Sequence, residues 1–149
     1  MIHKARGEDL PTITRLALQL WPDNDLSDLK TEFTQLLSNP EAALFLAFDG
    51  EAAVGFAQCQ LRHDYVEGTE SSPVGYLEGI FVSESHRRRG YARLLLSACE
   101  VWVKTKGCRE FASDCELVNT ESLSFHLKVG FTEANRIICF TKRISDAPM

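Results

Sequence analysis

Apolar residues recur along this chain with two different periods, and the switches between them mark its elements. Ile13, Leu16, Ala17 and Leu20 fall at helical spacing after Asp9-Leu10-Pro11, a capping acid followed by a first-turn proline, and Trp21-Pro22 stops the run. A second helical stripe, Leu29, Phe33, Leu36 and Leu37, starts near Asp25 or Ser27 and ends at Asn39-Pro40. Unbroken apolar runs from Ala43 to Phe48 and from Ala53 to Leu61 flank Asp49-Gly50, which predicts a β-hairpin. Ile2 to Ala5 reads as a short first strand, and 74–82 as a strand reached through a polar connection, His63 to Pro73, that would hang over one end of the sheet.

Leu94, Leu95, Ala98, Cys99, Val101 and Trp102 then predict a helix over 90–106, closed by Lys104, Lys106 and Gly107. Arg109 to Ser113 follows as a short strand, and Asn119 caps a helix that ends at Gly130. Thr132 to Arg143 is expected to return as one or two strands. The order β-αα-ββ-β-α-β-α-β is that of an α/β domain, a mixed sheet with helices on both faces. A single domain over 1–144 is expected, with a frayed tail at 145–149. The strands at 74–82 and 109–113 should lie parallel, and ligands bind where such neighbours diverge, which puts Val82 and Asp114 at one site.

The stretch at that divergence carries the clearest chemistry. After Phe81-Val82 comes Ser83-Glu84-Ser85-His86, then Arg87-Arg88-Arg89-Gly90 and the helix-opening Tyr91-Ala92. A helix start presents unpaired N–H groups and the positive end of its dipole; arginines and small residues there make a seat for phosphate. Gly90 lets a diphosphate approach the backbone, and Ala92 keeps that approach open. The alternative is a solvated arginine cluster.

Composition narrows the partners. A net charge of −5 argues against nucleic acid, and suits an anionic cofactor on the local arginines with a cationic substrate elsewhere. No apolar run approaches membrane-spanning length and the N-terminus lacks a signal-like apolar core, so no membrane is expected and the cytoplasm is the expected location. Five dispersed cysteines without a Cys-x-x-Cys pair predict reduced thiols and no metal, and nothing beside Cys115 looks like a base that would make it a nucleophile.

Val82 followed by Arg87-x-x-Gly90-x-Ala92 resembles the signature of the GNAT superfamily of N-acetyltransferases. The resemblance implies that Arg87, Arg88, Arg89, Gly90, Tyr91 and Ala92 hold the pyrophosphate of acetyl-CoA, the co-substrate. Asn119-x-x-Ser122-x-x-Phe125-His126-x-x-x-Gly130-Phe131 is similar to the family's later helix, in which an Asn meets the pantetheine arm. His126 stands where the family has a tyrosine that protonates the thiolate. A narrower likeness, to the aminoglycoside 6'-N-acetyltransferases, rests on Leu20-Trp21-Pro22, Arg62-His63-Asp64-Tyr65-Val66, Ser71-Ser72-Pro73, Leu77 to Val82, Lys106 to Glu110 and Ala112-Ser113-Asp114. It implies an acidic pocket for amino sugars with Glu78 and Asp114 as contributors, a role in resistance, and a homodimer.

Each candidate also has a plainer reading. Glu78 amid apolar residues needs a cationic partner, either substrate or a structural Arg62 or Arg109; alternation aligns it with Tyr76 and Val82, and Gly79 permits a bulge toward the cleft. Asp114 either anchors a substrate amine or caps a turn. His126 is either a thiolate-protonating acid or a core histidine, Tyr65 is its rival as acid or a surface for sugar rings, and Trp21 is core or a platform for substrate. In the expected mechanism Glu78 deprotonates the amine through a water, and the N–H groups of Phe81 and Val82 polarise the thioester carbonyl. Rival functions are acetylation of polyamines or protein N-termini, and a non-catalytic acyl-CoA-binding regulator.

Overall fold

The computed structural model describes residues 1–145. It contains β1 (Ile2–Lys4), α1 (Leu10–Leu20), α2 (Leu26–Ser38), β2 (Ala42–Asp49), β3 (Ala52–Arg62), β4 (Val74–Val82), α3 (Tyr91–Thr105), β5 (Phe111–Ser113) and α4 (Thr120–Lys128). The five strands form one mixed sheet in sequence order, antiparallel from β1 to β4, with β5 parallel to β4. Gly50 turns the β2–β3 hairpin at φ 61°, as its Asp-Gly signal predicts.

Two apolar layers hold the helices on opposite faces. Ile13, Leu16 and Ala17 of α1 and Leu29 and Phe33 of α2 pack on Leu44, Leu46 and Phe56. Leu95, Leu96, Cys99, Trp102 and Val103 of α3 fill the other face against Phe45, Ala57, Cys59, Leu77 and Val82. Between them these layers hold most of the buried large aliphatic side chains, whose burial is the main favourable term in the fold.

One predicted element is missing among the described residues. No strand forms over 132–143. After Phe131 packs near Phe111, the chain runs across the connection between β3 and β4, where Asn135 Nδ2 donates to Glu67 (2.8 Å) and Ala134 lies against Gly68. That path leaves the edge of β5 open, and Ile137, Ile138, Phe140 and Ile144 find no neighbours to bury them (69–87% exposed). Residues 146–149, most of the expected frayed tail, lie outside the described residues.

Candidate active site

The site begins where β4 and β5 part. Their parallel pairing covers only Gly75–Leu77 against Phe111–Ser113, so among the described residues the rest of β4 has no strand partner on that side. Ser83 N–H donates to Val54 O (2.7 Å), and bonded pairs alternate along an antiparallel ladder, so Phe81 bonds into the sheet through its partner Phe56. The N–H groups of Val82 and Ile80 therefore point to the open side. Of the two expected amides, Phe81's is spent inside the sheet, and Ile80 takes its place beside Val82. Beyond Val82 a turn of 3-10 helix at Glu84–His86 leads to Arg88, at φ 65°, and Gly90, at φ 88°, before α3.

At Gly90 this left-handed backbone favours glycine, and apart from its own chain neighbours no described atom stands within 4 Å of where a Cβ would be. The open space over the first turn of α3 is room for a phosphate. Arg87 is already oriented: its Nε donates to Val82 O (2.9 Å), and its guanidinium lies 5.7 Å from the Phe81 ring centre. Arg88 and Arg89 are exposed. His86 Nε2 meets Asp49 (3.1 Å), fastening this loop to the β2–β3 hairpin.

A second set of groups collects on the sheet face opposite α3. The β3–β4 register shifts between Gln58 and Cys59, which pair with Gly79 and Leu77 and leave Glu78 as the extra residue of a β-bulge. The bulge resets the alternation: Glu78 shares a face with Tyr76, whereas Val82 turns into the α3 layer, contrary to strict two-residue spacing. Arg62 lies across this face. Its Nε and Nη2 donate to the two Glu78 oxygens (3.0 and 2.7 Å), and its guanidinium stacks 3.5 Å from the Tyr76 ring centre. Tyr76 in turn donates its hydroxyl to Asp114, one residue past β5.

The same face is edged by Trp21 at the end of α1. Its indole rests on Gly79, where a Cβ would come within 2.7 Å of the ring, and edge-on against Phe56. Two hydrogen-bonded pairs, Arg62 with Glu78 and Tyr76 with Asp114, are thus joined into one row by the stacking of Arg62 on Tyr76, with two carboxylates and one guanidinium. Bonding to Glu78 is the main cause that raises the Arg62 pKa above its ordinary value. Burial first, then the bond to Asp114, pushes the Tyr76 phenol well up, so it stays a neutral donor.

Arginines at a glycine-opened helix start beside a face with two carboxylates suit an acyl-CoA-dependent transferase for amines, and comparison with known proteins shows the family. Residues 10–131 match the model of the acetyltransferase (GNAT) family. The chain belongs to that family. It is 45% identical over 141 residues to an aminoglycoside N(6')-acetyltransferase type 1 of Stenotrophomonas maltophilia, covering 93% of this chain and 90% of that one. It is 39% identical to the enzyme so named from Serratia marcescens, covering 97% and 99% of the two chains. Among solved structures, AAC(6')-Iy in complex with the bisubstrate analogue CoA-S-monomethyl-acetylneamine superposes with a TM-score of 0.93 at 40% identity, over 97% of this chain and 98% of that one. The apo AAC(6')-IG of Acinetobacter haemolyticus gives 0.92 at 38% identity, over 97% and 99%.

The remaining candidates of this acetyltransferase divide by how they are held. Asn119 caps α4, its Oδ1 accepting from Ser122 N (3.1 Å). His126 is bonded at both ring nitrogens: Nδ1 faces Ser122 O (2.6 Å) and Nε2 faces Ser113 Oγ (2.7 Å), with Phe125 and Phe131 alongside. A backbone carbonyl only accepts, so Nδ1 carries a proton, and Nε2 meets the serine hydroxyl, which can donate or accept. Tyr65 is 75% exposed. Its loop is pinned by Val66, which packs with Val74 and Tyr76, and by Glu110, whose carboxylate accepts from Glu70 N, Ser71 N and Ser71 Oγ (2.9, 2.9 and 2.5 Å). The Ser71 hydroxyl foremost holds Glu110 below the usual carboxylate range.

The sequence reading named Arg62 only as a structural counterion and missed Tyr76 as the link to Asp114. Arg62 and Glu78 are sixteen residues apart, and the pairing of β3 with β4 brings them together. Among the described residues no group of three His, Cys, Asp or Glu side chains is placed to hold a metal ion, and no helix is long and apolar enough to cross a membrane.

Proposed function

We propose that this acetyltransferase moves the acetyl group of acetyl-CoA onto the 6'-amino group of aminoglycosides by direct attack in a ternary complex, and so confers resistance. The observation that carries the reading is the meeting of Glu78 and Asp114, through Arg62 and Tyr76, on one face at the parting of β4 and β5. Relatives that carry this activity in their names match nearly end to end. The AAC(6')-Iy structure with its bisubstrate analogue adds support.

Acetyl-CoA supplies an activated thioester, and each residue is given one task. Arg87, Arg88, Arg89 and the amides from Gly90 to Ala92 hold the pyrophosphate, and Asn119 keeps its amide NH2 for the pantetheine arm. The Val82 and Ile80 N–H groups polarise the carbonyl. Glu78 accepts two bonds from Arg62 and still has lone pairs for a water, through which it takes the proton of the attacking ammonium. Asp114 anchors a second amino group, and Trp21 offers its ring to a sugar. His126 keeps its ring proton on a carbonyl, so Tyr65, with its exposed hydroxyl, is the better donor to the departing thiolate.

The working unit is a homodimer. The arm after Phe131 carries four exposed large apolar residues, the edge of β5 is open, and a shallow hollow lined by Phe111, Val129 and Phe131 lies beside it. A second copy would bury these surfaces, and strand pairing absent within one chain would then form between two. The cytoplasm is the place of action, where acetyl-CoA is available and all five cysteines stay as the free thiols seen here.

Thiol release measured across aminoglycosides, polyamines and peptides with free N-termini tests the reading. Turnover should be confined to aminoglycosides with a 6'-amino group. Comparable turnover of polyamines or peptides would replace the substrate assignment, and no turnover with any amine would leave only acyl-CoA binding.

A further inference from the structure

Gln58 stands out among polar side chains of the sheet: it is 6% exposed. No hydrogen bond ties its amide to another described residue, yet no described side-chain polar atom sealed from solvent lacks a partner, so the amide is reachable from solvent. Strand alternation identifies the face it reaches. Phe56 belongs to the α1–α2 layer while Ala57 and Cys59 belong to the α3 layer, which places Gln58 on the face of Phe56. Its partner across the ladder is Gly79, the residue on which the Trp21 indole lies, next to the bulged Glu78. An amide on a side chain this buried, with no protein partner but reachable from solvent, is free to bond a ligand.

The geometry points to Gln58 as a specificity-determining residue of the acceptor site, one that hydrogen-bonds a hydroxyl or amino substituent of the amino sugar between Trp21 and Glu78. The amide offers both a donor and an acceptor, matching sugar substituents that do both. It complements the carboxylates, which recognise charge, by reading the position of a neutral group. This inference rests on the proposed aminoglycoside function.

The test is Gln58→Met, which keeps length and volume and removes the amide. KM for a 6'-amino aminoglycoside should rise about ten-fold, as for one lost hydrogen bond, with kcat and the KM for acetyl-CoA within about two-fold. The thermal midpoint should hold or rise, because an unpartnered buried amide has been replaced by an apolar chain. An unchanged aminoglycoside KM overturns the assignment, and so does a lowered midpoint, which a structurally bonded amide would give. Should the methionine variant fail to fold, Gln58→Asn withdraws the amide by one methylene and must give the same rise in KM. Wild-type protein that does not acetylate aminoglycosides would instead sink the functional reading, a result distinct from a variant that behaves like active wild type.

Discussion

The proposed cofactor seat and the proposed acceptor face lie side by side on β4 but are built on different principles. The seat is mainly backbone, with arginines beside it: Gly90 in a left-handed conformation, the outward N–H groups of Ile80 and Val82, and the first turn of α3, all within residues 80–94. The acceptor face is side chain: Arg62 from β3, Tyr76 and Glu78 from β4 and Asp114 after β5, each held by the next. A backbone seat is fixed by local conformation and tolerates little change. A side-chain row is held by mutual bonds, so single replacements should alter recognition and chemistry while leaving the fold and the seat intact.

That contrast orders the expected effects of mutation. Combining Arg87→Ala with Gly90→Val puts a β-branched residue at φ 88° and removes one arginine, and should weaken acetyl-CoA binding by roughly 100-fold or more in calorimetry, with a native circular dichroism spectrum. Undiminished binding would dissolve the distinction between the two regions. Glu78→Gln should lower kcat by about 100-fold, the lower end for a lost general base, while acetyl-CoA binds as before; equal loss of cofactor affinity would mean the regions are not separable. The smallest effect is expected at Glu110, which pins the loop over the acceptor face. Its pKa is depressed in the folded protein, so its contribution is complete above the ordinary value of ~4.3 and fades as pH falls through the lowered one. Glu110→Gln should therefore lower the thermal midpoint by about two degrees near neutral pH, with a gap that closes toward acid. A gap that widens in acid would contradict the sign.

How far the sequence reveals each region follows from the same contrast. The seat was legible because arginines, glycine and a helix start are contiguous, and the hairpin was legible from Asp49-Gly50. The α1 and α2 stripes were legible for the same reason, since Ile13, Leu16, Leu29 and Phe33 point inward as their spacing requires. The acceptor face was legible only in part. Glu78 and Asp114 could be named, but the bulge that separates Glu78 from the face of Val82 depends on the register with β3, which no local pattern sets. The same register decides that Val82 and Ile80, not Phe81, present their amides. The strand expected over 132–143 did not form because an apolar run such as Ile137-Ile138-Cys139-Phe140 favours a strand but does not say whose sheet it joins, and here Asn135 and Ala134 hold the arm away from β5.

The claim that carries the most weight is that Glu78 and Asp114 receive the cationic acceptor without taking part in holding the cofactor. Calorimetric titration of the Glu78→Gln/Asp114→Asn double variant tests it directly, with acetyl-CoA and an aminoglycoside as separate titrants. The account predicts an acetyl-CoA Kd within about two-fold of wild type and an aminoglycoside affinity at least ~100-fold weaker, as expected when two charge-assisted contacts are lost. Aminoglycoside binding retained at wild-type strength would contradict it.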